Sequence, residues 1–243
     1  LANYKSGNYQ FIDTVPNDEI ETLKVDYPTE YKVEGQLGTY YVIFNNNTDL
    51  VPSYISKDWT KEEIAKANEE IRNAVSLFFD RNYVCEEIGK AGQVPASSFV
   101  GMGITNADGS QFYESAGGNS FAGYFNTAES AYAANCAKAI EILKKYFEYD
   151  EKTKKFTNFT EFDYLYNTGT GHQAIGEYIQ SCLAAYGITV TLENQEWDTF
   201  LVTRKDGNYT VARNGWLADY NDAINMLDMW TSYSGNNDAQ FGK

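Results

Sequence analysis

The residues best suited to chemistry lie together near the end of the chain, in Val211-Ala212-Arg213-Asn214-Gly215-Trp216-Leu217-Ala218-Asp219-Tyr220-Asn221. A cation, an indole, a carboxylate and a phenol fall within nine residues. Arg213 can grip a carboxylate through two N–H groups, and a buried Asp219 can pair with an ammonium group. Trp and Arg are favoured recognition residues, and Gly215 lets a ligand backbone approach closely. This is a set of groups for holding a zwitterion, with no nucleophile beside a base. The same residues also suit a structural Arg213–Asp219 ion pair with Trp216 in the core, and by themselves they leave both readings open.

A second motif is Gly169-Thr170-Gly171-His172-Gln173-Ala174, with Glu193 24 residues beyond Gly169. It follows an expected strand and opens an expected helix, which fits a G-x-G-x-x-A dinucleotide fingerprint with its ribose-binding acid. The glycines serve equally well as turn residues, with Thr168 or Thr170 capping the helix. Other enzyme signatures fail. Gly118-Asn119-Ser120-Phe121-Ala122 lacks the second glycine of a nucleophile elbow. Asn106-Ala107-Asp108-Gly109-Ser110 places its glycine too early for a calcium loop and reads as a turn. The single histidine, His172, leaves no partner for a usual Cys/His zinc site.

The elements that must position these groups follow from pattern. Residues 30–34, 38–45, 161–167, 188–193 and 208–213 read as strands, with 161–167 alternating. Helices are expected over 18–25, from Thr60-x-x-Glu63 (a capping box) to about 79, over 83–88, 127–147, 173–186 closed by Gly187, 197–205 and 223–230. The strand–helix–strand–helix–strand order from 161 to 213 is a βαβαβ unit. It predicts a mostly parallel sheet flanked by helices, with the Arg213–Asn221 stretch beyond the carboxyl end of a strand.

Bulk properties narrow the function. The 243 residues carry a net charge of −15 at a pI near 4.4, which argues against nucleic-acid and anionic-membrane partners. Cys85, Cys136 and Cys182 form no C-x-x-C pair, and Cys136 and Cys182 sit at apolar helical positions as buried free thiols. No apolar run approaches the roughly 20 residues that span a bilayer. No signal peptide opens the chain, so either a cytoplasmic protein or a mature or excised piece is expected, and the 236–243 tail, which ends without a finishing element, favours an excised piece.

The ordered set of motifs resembles the peptide/nickel/dipeptide solute-binding family, the receptors of ABC importers. The resemblance rests on Glu193-Asn194-Gln195-Glu196-Trp197, Thr199-Phe200-Leu201, Thr203-Arg204, Gly207, Val211-Ala212-Arg213, Gly215-Trp216 and Ala218-Asp219-Tyr220. It extends back through Leu165-Tyr166-Asn167-Thr168 with His172, and through Arg72-Asn73-Ala74, Asp80-Arg81, Gly92-Gln93 and Pro95-Ala96. Gly38-Thr39-Tyr40-Tyr41 and Asn45-Asn46 resemble the strand that enters the second lobe, and the resemblance covers roughly residues 20–243.

The resemblance implies an α/β lobe of a type II periplasmic-binding-protein-like clamshell. Residues 1–36 would be the end of a first lobe and the crossover, and 37–243 a second lobe truncated at its C-terminus. It implies an oligopeptide ligand, a membrane permease as partner, a monomer, no cofactor, no metal and no catalysis. It also implies an extracytoplasmic location with a lipid anchor outside this chain. Residue by residue, Asp219 matches the position that pairs with a peptide α-ammonium group, and Trp216 the indole against the peptide. Arg213 matches a carboxylate partner, and Tyr41 a cleft-lining strand residue. Trp197 and Arg204 match side-chain pockets, and His172 a position near the peptide's carboxyl end.

Departures are Glu86-Glu87 where some members place a carboxylate-binding Lys, Gly38 and Leu217 where some carry a cystine, and Asp222-Ala223 for the usual Asp-Pro. A dinucleotide-binding enzyme using Gly169, Gly171 and Glu193 stands as an alternative. So does a receptor of the same family for a signal, a sugar or nickel, nickel being disfavoured by the single histidine.

Overall fold

The computed structural model describes residues 1–115 and 125–243; the stretch from Gly118 to Ala122 weighed above lies outside them. The strands are β1 (Gly38–Phe44), β2 (Tyr149–Asp150), β3 (Lys155–Phe156), β4 (Phe162–Asn167), β5 (Val190–Gln195) and β6 (Val211–Leu217). The main sheet runs β1-β6-β4-β5, and β2 and β3 form a separate small hairpin. β1 is antiparallel to β6, whereas β4 is parallel to both β5 and β6. The sheet is therefore mixed and mostly parallel.

The single-turn helix α1 (Ala2–Lys5) and the two-turn helix α2 (Ile20–Asp26) precede β1. α3 (Lys61–Leu77) begins at Thr60, whose side chain accepts from the Glu63 N–H while the Glu63 carboxylate accepts from the Thr60 N–H. That reciprocal cap satisfies two otherwise orphaned donors and fixes where the helix starts. α4 (Arg81–Tyr83) starts on the Asp80 side chain, α5 (Phe112–Ser115) is one turn, and α6 (Tyr132–Leu143) and α7 (Thr170–Ala184) are the next long helices. α8 (Trp197–Lys205) and α9 (Ala223–Leu227) complete the set.

Two cores sandwich the sheet. On one face Ile71, Ala74 and Val75 of α3, Ala139 and Leu143 of α6, and Ile179 and Leu183 of α7 bury against Phe162, Tyr164, Tyr166 and Val211. Each large side chain buried there contributes about 1.5–3 kcal/mol. Gly176 of α7 faces Tyr164 and Leu192, where an added Cβ would already stand 3.4 Å from both, so the helix lies close on β4 and β5. On the other face Ile43, Leu165 and Ala212 pack with Phe200 of α8, Tyr209 and Ala239. Burial on both faces is why β4 shows no period-2 alternation: Tyr164, Leu165, Tyr166 and Asn167 are all buried.

Several expectations shift. Residues 30–34 form no strand, since they find no pairing partner in the sheet. The helix expected over 83–88 is α4 followed by a π-helical turn, Val84–Gly89, ended by Lys90 at φ +61. α6 is shorter than 127–147, and α7 starts at Thr170 rather than Gln173. β6 runs on to Leu217 because Asn214 and Gly215, read as loop residues, pair with Tyr41 and Tyr40. Gly38 and Leu217 are register partners, and a Cβ on Gly38 would meet the Leu217 side chain at 2.3 Å.

Candidate functional site

The β4–β6 ladder covers only Tyr164↔Val211 and Leu165↔Ala212. Beyond it β6 continues with β1 alone, which opens a fork at the carboxyl end of β4. Arg213 fills this fork. Its Nε donates to Asn167 Oδ1 at 2.7 Å, and its Nη2 lies 3.1 Å from His172 Nε2. The guanidinium also sits over Tyr40, Phe200 and Trp197 at 5.5–5.7 Å. Tyr40 stacks on the imidazole and places its hydroxyl 3.2 Å from Nδ1. Burial, and then the Arg213 charge, bring His172 down to about 4. Burial of the Tyr40 hydroxyl pushes that phenol up to about 12 although the residue as a whole is 41 % exposed. Burial also lowers Arg213 below the usual guanidinium range.

On the α8 face of the sheet a cavity of about 500 Å³ opens between Tyr41, Trp197, Leu201, Arg204, Trp216 and Met229. Tyr41 is held edge-on to Phe99 and Trp230, with its hydroxyl toward Met229 Sδ at 3.8 Å. Arg204 is buried and pairs with buried Asp238 at 2.8 Å. The contact is ionic rather than a directed hydrogen bond, for neither Arg204 Nε nor Asp238 Oδ1 makes one. Asn214 Nδ2 reaches the same carboxylate at 3.3 Å, and Arg204 Nη1 donates to the Arg213 carbonyl at 3.4 Å. The buried cation of the cavity wall is thus already neutralised.

At the end of β6 the buried side chain of Asn225 organises the turn. Its Oδ1 accepts from Trp216 Nε1 at 3.1 Å and from the Asp219 N–H at 2.9 Å, and its Nδ2 donates to Asp219 Oδ2 at 3.2 Å. Asp222 starts α9 by accepting from the Ile224 N–H. Asp219 is exposed and pairs with no cation among the described residues. The structural ion pair Arg213–Asp219 does not form: Arg213 is held instead by neutral Asn167 and His172.

Of the residues singled out from sequence, Tyr41, Trp197, Arg204 and Trp216 meet at the cavity, Arg213 and His172 meet in the fork, and Asp219 lies beyond β6 next to Trp216. Arg213 and Trp216 belong to the strand itself, and only Ala218 onward lies past its carboxyl end. Sequence reading missed Tyr40, Asn167, Asn225 and Asp238. The last two orient Asp219 and Arg204, and nothing local distinguishes them from other polar loop residues.

The dinucleotide geometry is not supported. A Cβ at Gly169 would meet the His172 ring at 3.0 Å, so the imidazole occupies the helix start. Glu193 accepts from Gln195 Nε2. Thr168 caps nothing; its hydroxyl bonds Asn194 and Glu196. The Asn106–Ser110 stretch closes as a turn on Asp108, with Gly109 at φ +84.

The α/β sheet thus presents an exposed carboxylate, a neutrally held guanidinium and an aromatic-walled cavity near one end. Residues 1–238 match the family described as bacterial extracellular solute-binding proteins, family 5 Middle, and the chain belongs to that family. It is 30% identical over 99% of its length to the periplasmic oligopeptide-binding protein OppA of Salmonella typhimurium, covering 38% of that protein. The crystal structure of Haemophilus influenzae OppA in complex with RPPGFSPFR superposes with a TM-score of 0.71 at 28% identity, over 99% of this chain and 41% of that one. The Escherichia coli murein tripeptide binding protein MppA shares the fold, with a TM-score of 0.75 at 24% identity, over 99% and 41%. The chain therefore spans about two fifths of the length of these relatives.

Proposed function

We propose that this chain is the second ligand-clamping lobe of an extracytoplasmic receptor that captures oligopeptides and hands them to an ABC importer permease. Residues 1–36 are the end of the first lobe and the crossover, and 37–243 the second lobe. The receptor is an extracytoplasmic monomer that catalyses no reaction and is either held at the cell surface by a lipid anchor or periplasmic. Ligand contacts to both lobes stabilise the closed state by population shift. The observation that carries the reading is Asp219, an exposed carboxylate aimed by Asn225 and lacking a cation among the described residues. It pairs with the peptide α-ammonium group. Arg213 meets a carboxylate of the ligand, while Trp216, Tyr41, Trp197 and Arg204 wall a hydrated side-chain pocket that tolerates many sequences.

Native mass spectrometry of the full-length protein as purified, beside Asp219→Asn, tests this. Peptide-sized adducts on the wild type, depleted in the variant, are the expected result. Adducts indifferent to Asp219, or a single non-peptide adduct, would remove the peptide assignment.

A further inference from the structure

An arginine that recognises an anion must keep an N–H free and pointed. Arg213 has no acidic partner among the described residues and is fixed at two of its three nitrogens by neutral acceptors, Asn167 Oδ1 on Nε and His172 Nε2 on Nη2. The third, Nη1, borders Gly215, where even a Cβ would stand 3.8 Å away. An arginine N–H can only donate. His172 Nε2 must therefore accept, and the neutral ring must carry its proton on Nδ1, directed at the Tyr40 oxygen. Asn167 is buried at the end of β4, and Tyr40 clamps the imidazole by stacking.

We infer that Tyr40, His172 and Asn167 are positioning residues for anion recognition. His172 acts as a neutral acceptor that locks Arg213 so that Nη1 faces a carboxylate of the ligand, and the imidazole itself does not bind that carboxylate. This rests on the proposed role of Arg213 and adds to it the selectivity for ligands with an ionised terminus. It also makes the preference acid-sensitive. A proton on Nε2 removes the acceptor and sets a cation against the guanidinium. Among the described residues, the charged or titratable groups around the ring are Arg213 from β6, Tyr40 from β1 and, beside both, Tyr164 from β4. Trp197 and Phe200 of α8, which face Arg213, carry no charge, while Arg204 of the same helix sets a second positive charge near Arg213. The low affinity of His172 for protons places the change near pH 4.

The test is calorimetric titration of the full-length, ligand-stripped protein with three probes: trialanine, its C-terminal amide, and an analogue ended by a sulfonate, which stays ionised in acid. The preference of the wild type for acid over amide is expected to fall roughly tenfold in His172→Ala, a loss of about 1.4 kcal/mol. His172→Gln, whose amide oxygen can accept from Nη2, should keep it, and amide affinity should hardly change in either variant. Between pH 5.5 and 3.5 the wild type should lose its preference for the sulfonate probe, and His172→Gln should not. Nitrogen-15 spectra should show the His172 proton on Nδ1. A wild type that discriminates while His172→Ala discriminates equally, or a proton found on Nε2, overturns the positioning role and leaves peptide capture standing. A wild type that binds peptides but treats acid and amide alike overturns the Arg213 reading and this inference together.

Discussion

Breaking the Arg204–Asp238 pair is the sharpest test of how this lobe is held. Both side chains are less than a tenth exposed and 2.8 Å apart. Removing one leaves the other charge buried, which typically costs 3–5 kcal/mol. Here Nε is not aimed at the carboxylate, and Asn214 gives Asp238 only a long second contact. The lower end, about 3 kcal/mol, is therefore expected for either Arg204→Met or Asp238→Asn. The double variant leaves no buried charge and should lose no more than one single does, a coupling of about 3 kcal/mol. Equilibrium urea unfolding of the full-length protein, with the slope unchanged between variants, reads these differences. Singles below about 1 kcal/mol each, adding without coupling, would refute the reasoning.

Other consequences are equally direct. Asn68 Oδ1 accepts from the buried Leu50 and Val51 N–H groups at 2.7 and 2.9 Å. Asn68→Ala should thus destabilise by about 2–3 kcal/mol in the same unfolding assay. Gly187 sits at φ +81 with a Cβ position 2.2 Å from the Phe156 carbonyl oxygen, so Gly187→Ala should cost about 2 kcal/mol or more and lower the melting temperature. His172 protonates near 6.5 when unfolded and near 4 when folded. As pH falls below 6.5 the unfolded chain takes up a proton that the folded one refuses, so stability declines until pH reaches about 4. Relative to His172→Gln, the wild type should lose up to about 3 kcal/mol across that window, at 1.36 kcal/mol per pKa unit; parallel pH–stability curves would contradict the buried, Arg-facing histidine.

Local signals in the sequence located much of the architecture. Thr60 and Glu63 mark the start of α3 because their bonds are made within one turn. The Trp197–Lys205 helix likewise has its expected bounds. What escaped depends on distant partners. Glu30–Glu34 has a strand-like pattern but no neighbouring strand to pair with, whereas Asn214-Gly215 has loop chemistry and is drawn into β6 by Tyr40 and Tyr41. The candidate site divides the same way. The types Arg213, Trp216 and Asp219 stood out in one short stretch, but their orientation comes from Asn167, Asn225 and Tyr40. Those are unremarkable polar residues whose role exists only once the chain is folded.

The pairing of β1 with β6 has a consequence in time. Among the described residues, 38–44 find their strand partner only in 211–217, and Asn46 is further tied to Ala239 through two hydrogen bonds. At a usual synthesis rate of roughly 5–20 residues per second, the aromatic β1 segment waits on the order of ten seconds or more for β6 to be made. Closing so long a loop is also slow. During that wait Tyr40 to Phe44 offer an unsatisfied, apolar strand edge to any neighbouring chain. Within these residues β1 is therefore exposed to aggregation during synthesis, and a holding chaperone that recognises extended apolar segments has a target there.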